Sequence, residues 1–198
     1  VNTFTGGVTI GSGTVRVGNN AGLGSGALTM TGGALSSDSA TARALTNSYS
    51  LGGAVTLGDA ASAGSLTLSG AGALTSNVTL TTPMPLTSVV ELTGLLSGTG
   101  SLTKLGAGAL TLSGANTFSG GATVNAGRVY VANSSAFGTG VLTFGGGVVS
   151  SDSASARSVV NTLSIGGNIT LGDAVKNGVL NFTGDGTLTA PTTLTLDS

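Results

Sequence analysis

The sequence of 198 residues predicts an all-β fold, a parallel β-helix in which short strands wind round one axis as a solenoid. Three observations carry the prediction: a long tandem repeat, short apolar segments that alternate with period two, and glycine pairs that punctuate them. Moved by 114 residues, positions 1–84 lie on 115–198 without a gap, and about half of them are identical. Asn2-Thr3-Phe4 returns as Asn116-Thr117-Phe118, Ser36-Ser37-Asp38-Ser39-Ala40 as Ser150-Ser151-Asp152-Ser153-Ala154, and Leu57-Gly58-Asp59-Ala60 as Leu171-Gly172-Asp173-Ala174. Residues 1–114 form one full unit and 115–198 most of a second, in a single continuous solenoid over 1–198.

Along each unit the segments Val8-Thr9-Ile10, Leu66-Thr67-Leu68, Val78-Thr79-Leu80, Leu110-Thr111-Leu112, Ile169-Thr170-Leu171 and Leu194-Thr195-Leu196 place aliphatic side chains on one strand face and Thr on the other. Gly6-Gly7, Gly32-Gly33, Gly52-Gly53 and Gly120-Gly121 separate such segments and read as corners. Helical spacing is tolerable only at Asp38 to Leu45, and Val159-Val160 in the second copy argues against a helix there. Antiparallel sandwiches explain short strands but not the ungapped register of two copies. At roughly 20 to 25 residues per coil, one unit makes about five coils and the chain eight or nine. The core is then a narrow column of Val, Leu, Ile and Ala, with Thr and Ser in outward rows.

Asn47 shares its parity with Leu45, Tyr49 and Leu51, and Asn161 with Val159, Leu163 and Ile165. An inward Asn must be hydrogen-bonded, and the expected partners are backbone groups at a bend between strands, which makes both residues structural corners.

Composition removes many functions. The chain has 36 Gly and only 7% charged residues, yet 39% hydrophobic residues and a net charge of -1 favour folding over disorder. Cys and His are both absent, which removes disulfides, thiolate and imidazole metal sites, the cysteine nucleophile and the usual triads. The six basic residues are scattered, so no nucleic-acid or anionic-lipid patch is expected. No apolar run is long enough to cross a bilayer, no signal peptide is visible, and a start at Val1 reads as a processed or excised piece.

The stretch Gly100 to Gly127, GSLTKLGAGALTLSGANTFSGGATVNAG, resembles the passenger-associated repeat of bacterial autotransporters. The resemblance lies in Leu102-Thr103-Lys104, Gly106, Gly108, Leu110 to Gly114, Asn116 to Phe118, Gly120-Gly121, Val124 and Gly127. Its second half returns at Val1 to Gly13, with Asn2, Phe4, Gly6 and Gly7 on the motif. Ala122 stands where the family usually has Thr, and no membrane-barrel translocator is present in these residues. The resemblance implies a right-handed β-helix and an exported protein, extracellular or on the outer bacterial surface, that carries a long passenger. It implies no chemistry.

Seven carboxylates remain as candidates for a site: Asp38, Asp59, Glu91, Asp152, Asp173, Asp185 and Asp197. Asp38 and Asp59 lie about one coil apart, as do Asp152 and Asp173, so stacked pairs suited to Ca²⁺ or glycoside cleavage are conceivable. The preferred reading is structural, because each of the four sits in a turn context where Asp accepts bonds from its own backbone. Arg43 and Arg157 follow Asp38 and Asp152 by five residues and suit exposed ion pairs. Lys104, Arg16, Arg128 and Lys176 read as solvated, and the aromatic residues, Phe4 and Phe118 among them, as core or corner packing, although alternation with Arg128 puts Tyr130 in the outward phase. Flat Thr rows also suit ice binding, but that needs two outward Thr per strand and most strands here have one.

The functional expectation is therefore a non-enzymatic structural segment that stacks β-coils into a stiff rod or fibre. An adhesin or glycan-binding module and a polysaccharide-active β-helix enzyme are the alternatives. No cofactor, catalytic residue, metal, nucleic acid or membrane insertion is expected. The expected partners are neighbouring repeats or identical subunits placed end to end, lateral contacts, and a host or matrix glycan or protein.

Overall fold

A computed structural model describes residues 1–197, which form 22 β-strands and, among those residues, no helix. Every strand pairing is parallel, and the chain is a β-solenoid in which nine strands follow one another along the principal sheet. Val8 pairs with Leu28, Leu28 with Tyr49, Tyr49 with Gly72 and Gly72 with Leu96, so the coils take 20, 21, 23 and 24 residues. Farther along, Leu102 pairs with Ala122 and Ala122 with Leu142, each a step of 20.

The period of two decides what is inside. Leu66 and Leu68 are buried while Thr67 between them is half-buried, and the same pattern marks Leu28–Met30, Ala122–Val124 and Leu142–Phe144. In-register pairing stacks like on like. One aliphatic column runs Leu45, Leu68, Leu92, Leu112 and Val131. Each such side chain contributes about 1.5–3 kcal/mol by leaving water.

Glycine serves the corners where coils come closest. Gly121 has φ +85° and leaves only 2.7 Å between a would-be Cβ and the carbonyl oxygen of Val141 on the next coil. A side chain there meets both backbone strain and a backbone clash. The long strands Tyr49–Leu57 and Gly72–Thr81 turn a corner without breaking, with a register shift between Leu51 and Gly53.

The two copies do not stack face on face. Five coils carry Val8 through Leu28, Tyr49, Gly72 and Leu96 to Asn116, whose follower Thr117 donates its N–H to Leu96 O at 2.9 Å. The repeat equivalent of Val8 is Ala122, six residues farther, and it pairs with Leu102 on the adjoining face. The second copy is thus set one face round the axis. Arg43–Leu45 and Leu66–Leu68 accordingly belong to the eight-stranded sheet, whereas their equivalents Arg157–Val159 and Leu180–Phe182 form a separate two-stranded sheet.

Candidate functional site

Four of the seven carboxylates, Asp38, Asp59, Asp152 and Asp173, each meet a guanidinium. Asp38 Oδ1 accepts from Arg43 at 2.7 Å, and Asp152 Oδ1 accepts from Arg157 Nη2 at 2.7 Å and Nε at 3.0 Å. These are local pairs, five residues apart in the chain. Asp59 and Asp173 reach much farther, to Arg16 at 2.5 Å and to Arg128. Both also cap the turn that follows them: Asp59 Oδ1 accepts from Ala61 N–H at 2.7 Å, and Asp173 Oδ1 from Val175 N–H at 2.8 Å and Lys176 N–H at 3.1 Å.

Electrostatics follows the geometry. The Arg43 hydrogen bond holds the Asp38 carboxyl below its ordinary range, and the Ala61 N–H with Arg16 does so for Asp59. A carboxyl whose proton is so weakly held is a poor general acid. Among the described residues, no three His, Cys, Asp or Glu side chains come together as a metal cluster. A surface hollow of 520 Å³ between Asn2, Asn20, Ser25, Thr46, Asn47 and Ser48 has no titratable side chain in its lining.

The inward Asn residues are corner braces. Asn47 Nδ2 donates to Gly24 O at 3.1 Å and Gly26 O at 2.7 Å on the preceding coil, and Asn161 Nδ2 donates to Gly138 O at 3.1 Å and Gly140 O at 2.8 Å. Asn116 spans three coils, because its Oδ1 accepts from Leu96 N–H at 2.9 Å and its Nδ2 donates to Ala136 O at 2.7 Å. Asn2, its equivalent, is exposed and donates to Gly22 O at 2.6 Å. Phe118 is fully buried beside this corner, while its equivalent Phe4 is 44% exposed and packs against the Gly24 corner. Gly6 and Gly7 precede the strand Val8–Ile10 as Gly120 and Gly121 precede Ala122–Val124.

Three basic residues correct the sequence reading. Lys104, read as solvated, is 2% exposed. It occupies the otherwise apolar column Val55, Leu80, Lys104, Val124, Phe144 and Ile165. Its Nζ donates to Leu105 O at 2.8 Å, Gly106 O at 2.9 Å and Ala126 O at 3.3 Å, three acceptors for three protons. Burial lowers its pKa from 10.5 to about 8. The signal was available, since Lys104 has the parity of Leu102. Arg128 and Lys176 also depart from the solvated expectation. Arg128 is mostly buried against Asp173, and the Lys176 amine lies 3.5 Å from the centroid of the Tyr130 ring, a cation–π contact. Tyr130 itself is outward in phase but covered, at 7% exposure.

No curated protein and no solved structure gives a significant match to this chain. The profile of the passenger-associated-transport-repeat matches residues 1–17 and 102–131. The second match runs from the strand Leu102–Leu105 to the strand Arg128–Val131 and so contains the Lys104 carbonyl cage, the Asn116 brace and Phe118. Residues 1–17 are the repeat equivalents of 115–131, the second part of that match. The chain therefore matches the passenger-associated-transport-repeat at two places, the first of which lies one tandem unit before the second part of the other.

Proposed function

We propose that the chain is a non-enzymatic, rod-forming segment of an exported bacterial protein, extracellular or on the cell surface. The observation that carries this reading is the parallel ladder running coil to coil through nine strands of the principal sheet, within a chain that bears a passenger repeat. At the strand spacing of roughly 4.8 Å this gives a rod of about 43 Å. The pairing of Asp38, Asp59, Asp152 and Asp173 with arginines supports a structural part for these carboxylates.

Small-angle scattering and limited proteolysis test the proposal on the chain itself. An elongated, protease-resistant particle is expected. Polysaccharide cleavage that disappears in an Asp38→Asn, Asp59→Asn double variant or in the Asp152→Asn, Asp173→Asn double variant would replace this reading with the enzyme. For partners, the last coil presents Leu188, Leu194 and Leu196, all more than half exposed, and a further coil from a neighbouring repeat or an identical subunit would bury them. Sizing across a concentration series separates the two, because only subunit stacking grows with concentration.

A glycan-binding face is the second reading. Thr79, Thr103, Thr123, Thr143, Ser164 and Thr187 stack in register as one outward hydroxyl column. A glycan array probed with the chain decides it.

A further inference from the structure

A solenoid coil ordinarily touches only the coil before it and the coil after it. Two segments of this chain do something else. Gly58–Gly64 leaves the strand Tyr49–Leu57 through a glycine at φ +90°, and Gly172–Gly178 leaves Ile169–Gly172 through one at φ +101°. The far ends are fixed alike, by Gly64 N–H to Ser39 O at 3.0 Å and Gly178 N–H to Ser153 O at 2.9 Å.

The second residue of each segment is the long-reaching Asp. Arg16 pairs in the ladder with Ser36, and the continuation of the Leu35 to Leu57 register puts Ser36 beside Gly58. Asp59 therefore passes over the coil of Ser36 to reach Arg16 on the coil beyond it. Asp173 likewise passes over the coil of Ser150, the ladder partner of Tyr130, to reach Arg128. The covered coil records the passage: Ser36 and Ser150 are both 0% exposed, with hydroxyls that have no hydrogen-bond partner.

The two copies solve the pairing differently. In the first, the cation is Arg16, and Thr14 stands one pleat away. In the second, Tyr130 occupies the place of Arg16 and Arg128 the place of Thr14. The cation has moved by one outward position while the carboxylate and its two-coil span are unchanged. Tyr130 adds its own hold, with Oη 3.5 Å from Asp173 Oδ2 and its ring under the Lys176 amine. Chance contact does not predict that both positions on the cation's strand change together and the bridge survives.

We propose that Gly58–Gly64 and Gly172–Gly178 are axial straps, each tying a coil to the next but one and making three coils open as a unit. A rod so strapped resists unzipping one coil at a time, because freeing the middle coil requires first breaking a charge-assisted bond between its neighbours. The inference goes beyond the rod reading and does not depend on export or polymerisation.

Hydrogen exchange on the full chain tests it, using Asp59→Asn and Asp173→Asn, in which the side-chain oxygen that caps the local turn remains and the charge is lost. In Asp59→Asn the amides of Thr14–Val17 and Ala34–Ser37 should exchange about two- to fivefold faster while Val148–Ser151 is unchanged. In Asp173→Asn the effect should move to Arg128–Val131 and Val148–Ser151. Acceleration confined to the strap, or spread evenly along the chain, overturns the proposal. Should a variant fail to fold, the unaltered chain serves: raising salt from about 0.01 M to about 1 M should speed exchange in Thr14–Val17 and Ala34–Ser37 relative to Leu66–Leu68, since Arg16 is half exposed. Equal response of those strands likewise overturns it.

Discussion

Substituting Gly72 by alanine drives a methyl group into the hydroxyl edge of the Tyr49 ring. In the inward column Leu28, Tyr49, Gly72 and Leu96, the aromatic ring occupies the room that Gly72 leaves empty. A Cβ at Gly72 would lie 2.4 Å from Cζ, 2.5 Å from Cε2 and 2.7 Å from Oη. The ring is enclosed, at 3% exposure, and its movement must displace the coils above or below. Gly72 does not have positive φ, so alanine adds no backbone strain and the clash acts alone. Overpacking of this kind costs about 1–3 kcal/mol, against a gain of about 0.4–1 kcal/mol from the less flexible unfolded chain. The expected net loss is about 1–2 kcal/mol.

The second copy is the internal control. Leu163 and Gly186 replace Tyr49 and Gly72, and a Cβ at Gly186 would stand 3.7 Å from Leu163 Cβ, an ordinary contact. Gly186→Ala should therefore be neutral or slightly stabilising, and Tyr49→Leu should rescue Gly72→Ala with a coupling of at least about 1 kcal/mol. Because a solenoid need not unfold in one step, the reading is best taken from hydrogen exchange of Leu28–Met30 and Tyr49–Leu57 beside urea unfolding. Equal effects of the two alanine substitutions, or failure of the rescue, refute the reasoning. Tyr49 Oη is also buried without a partner, and burial drives its pKa far upward. Tyr49→Phe should accordingly stabilise the chain by about 1 kcal/mol.

Lys104 predicts an alkaline response: with a folded pKa of about 8 and an unfolded one of 10.5, the unfolded chain binds more protons across that window. Stability should rise by about 3 kcal/mol as pH climbs through it, and urea titrations of Lys104→Met should lose that rise. Asn116→Ala should cost about 2–4 kcal/mol in the same titration, since it strands Leu96 N–H and Ala136 O, while Asn2→Ala at the exposed equivalent should cost under about 1 kcal/mol. The chain has no Cys, so paired spin labels can be placed freely. Labels at Ala54 and Thr123, three ladder steps apart in one column, should report about 14 Å between backbones. Labels at the repeat equivalents Thr9 and Thr123 should lie farther apart than the roughly 24 Å of five stacked coils, because they face different ways.

Alternation, glycine placement and the two-copy register are properties of neighbouring residues, and for this protein they determined the parallel solenoid, its coil length and which residues point inward. The parity of Asn47 and Asn161 belongs to the same class, and so does that of Lys104, whose charge argues for solvent while its phase points inward. Contacts between coils are of another kind, because they depend on the summed lengths of corners, and those lengths vary from coil to coil. The bond from Asp59 to Arg16 spans 43 residues, as does the approach of Asp173 to Tyr130. An error of one residue in any corner would turn these side chains to the opposite face. Only the tertiary structure could therefore decide that Arg16 and Arg128 anchor straps, that Tyr130 is covered, and that the second unit sits one face round from the first.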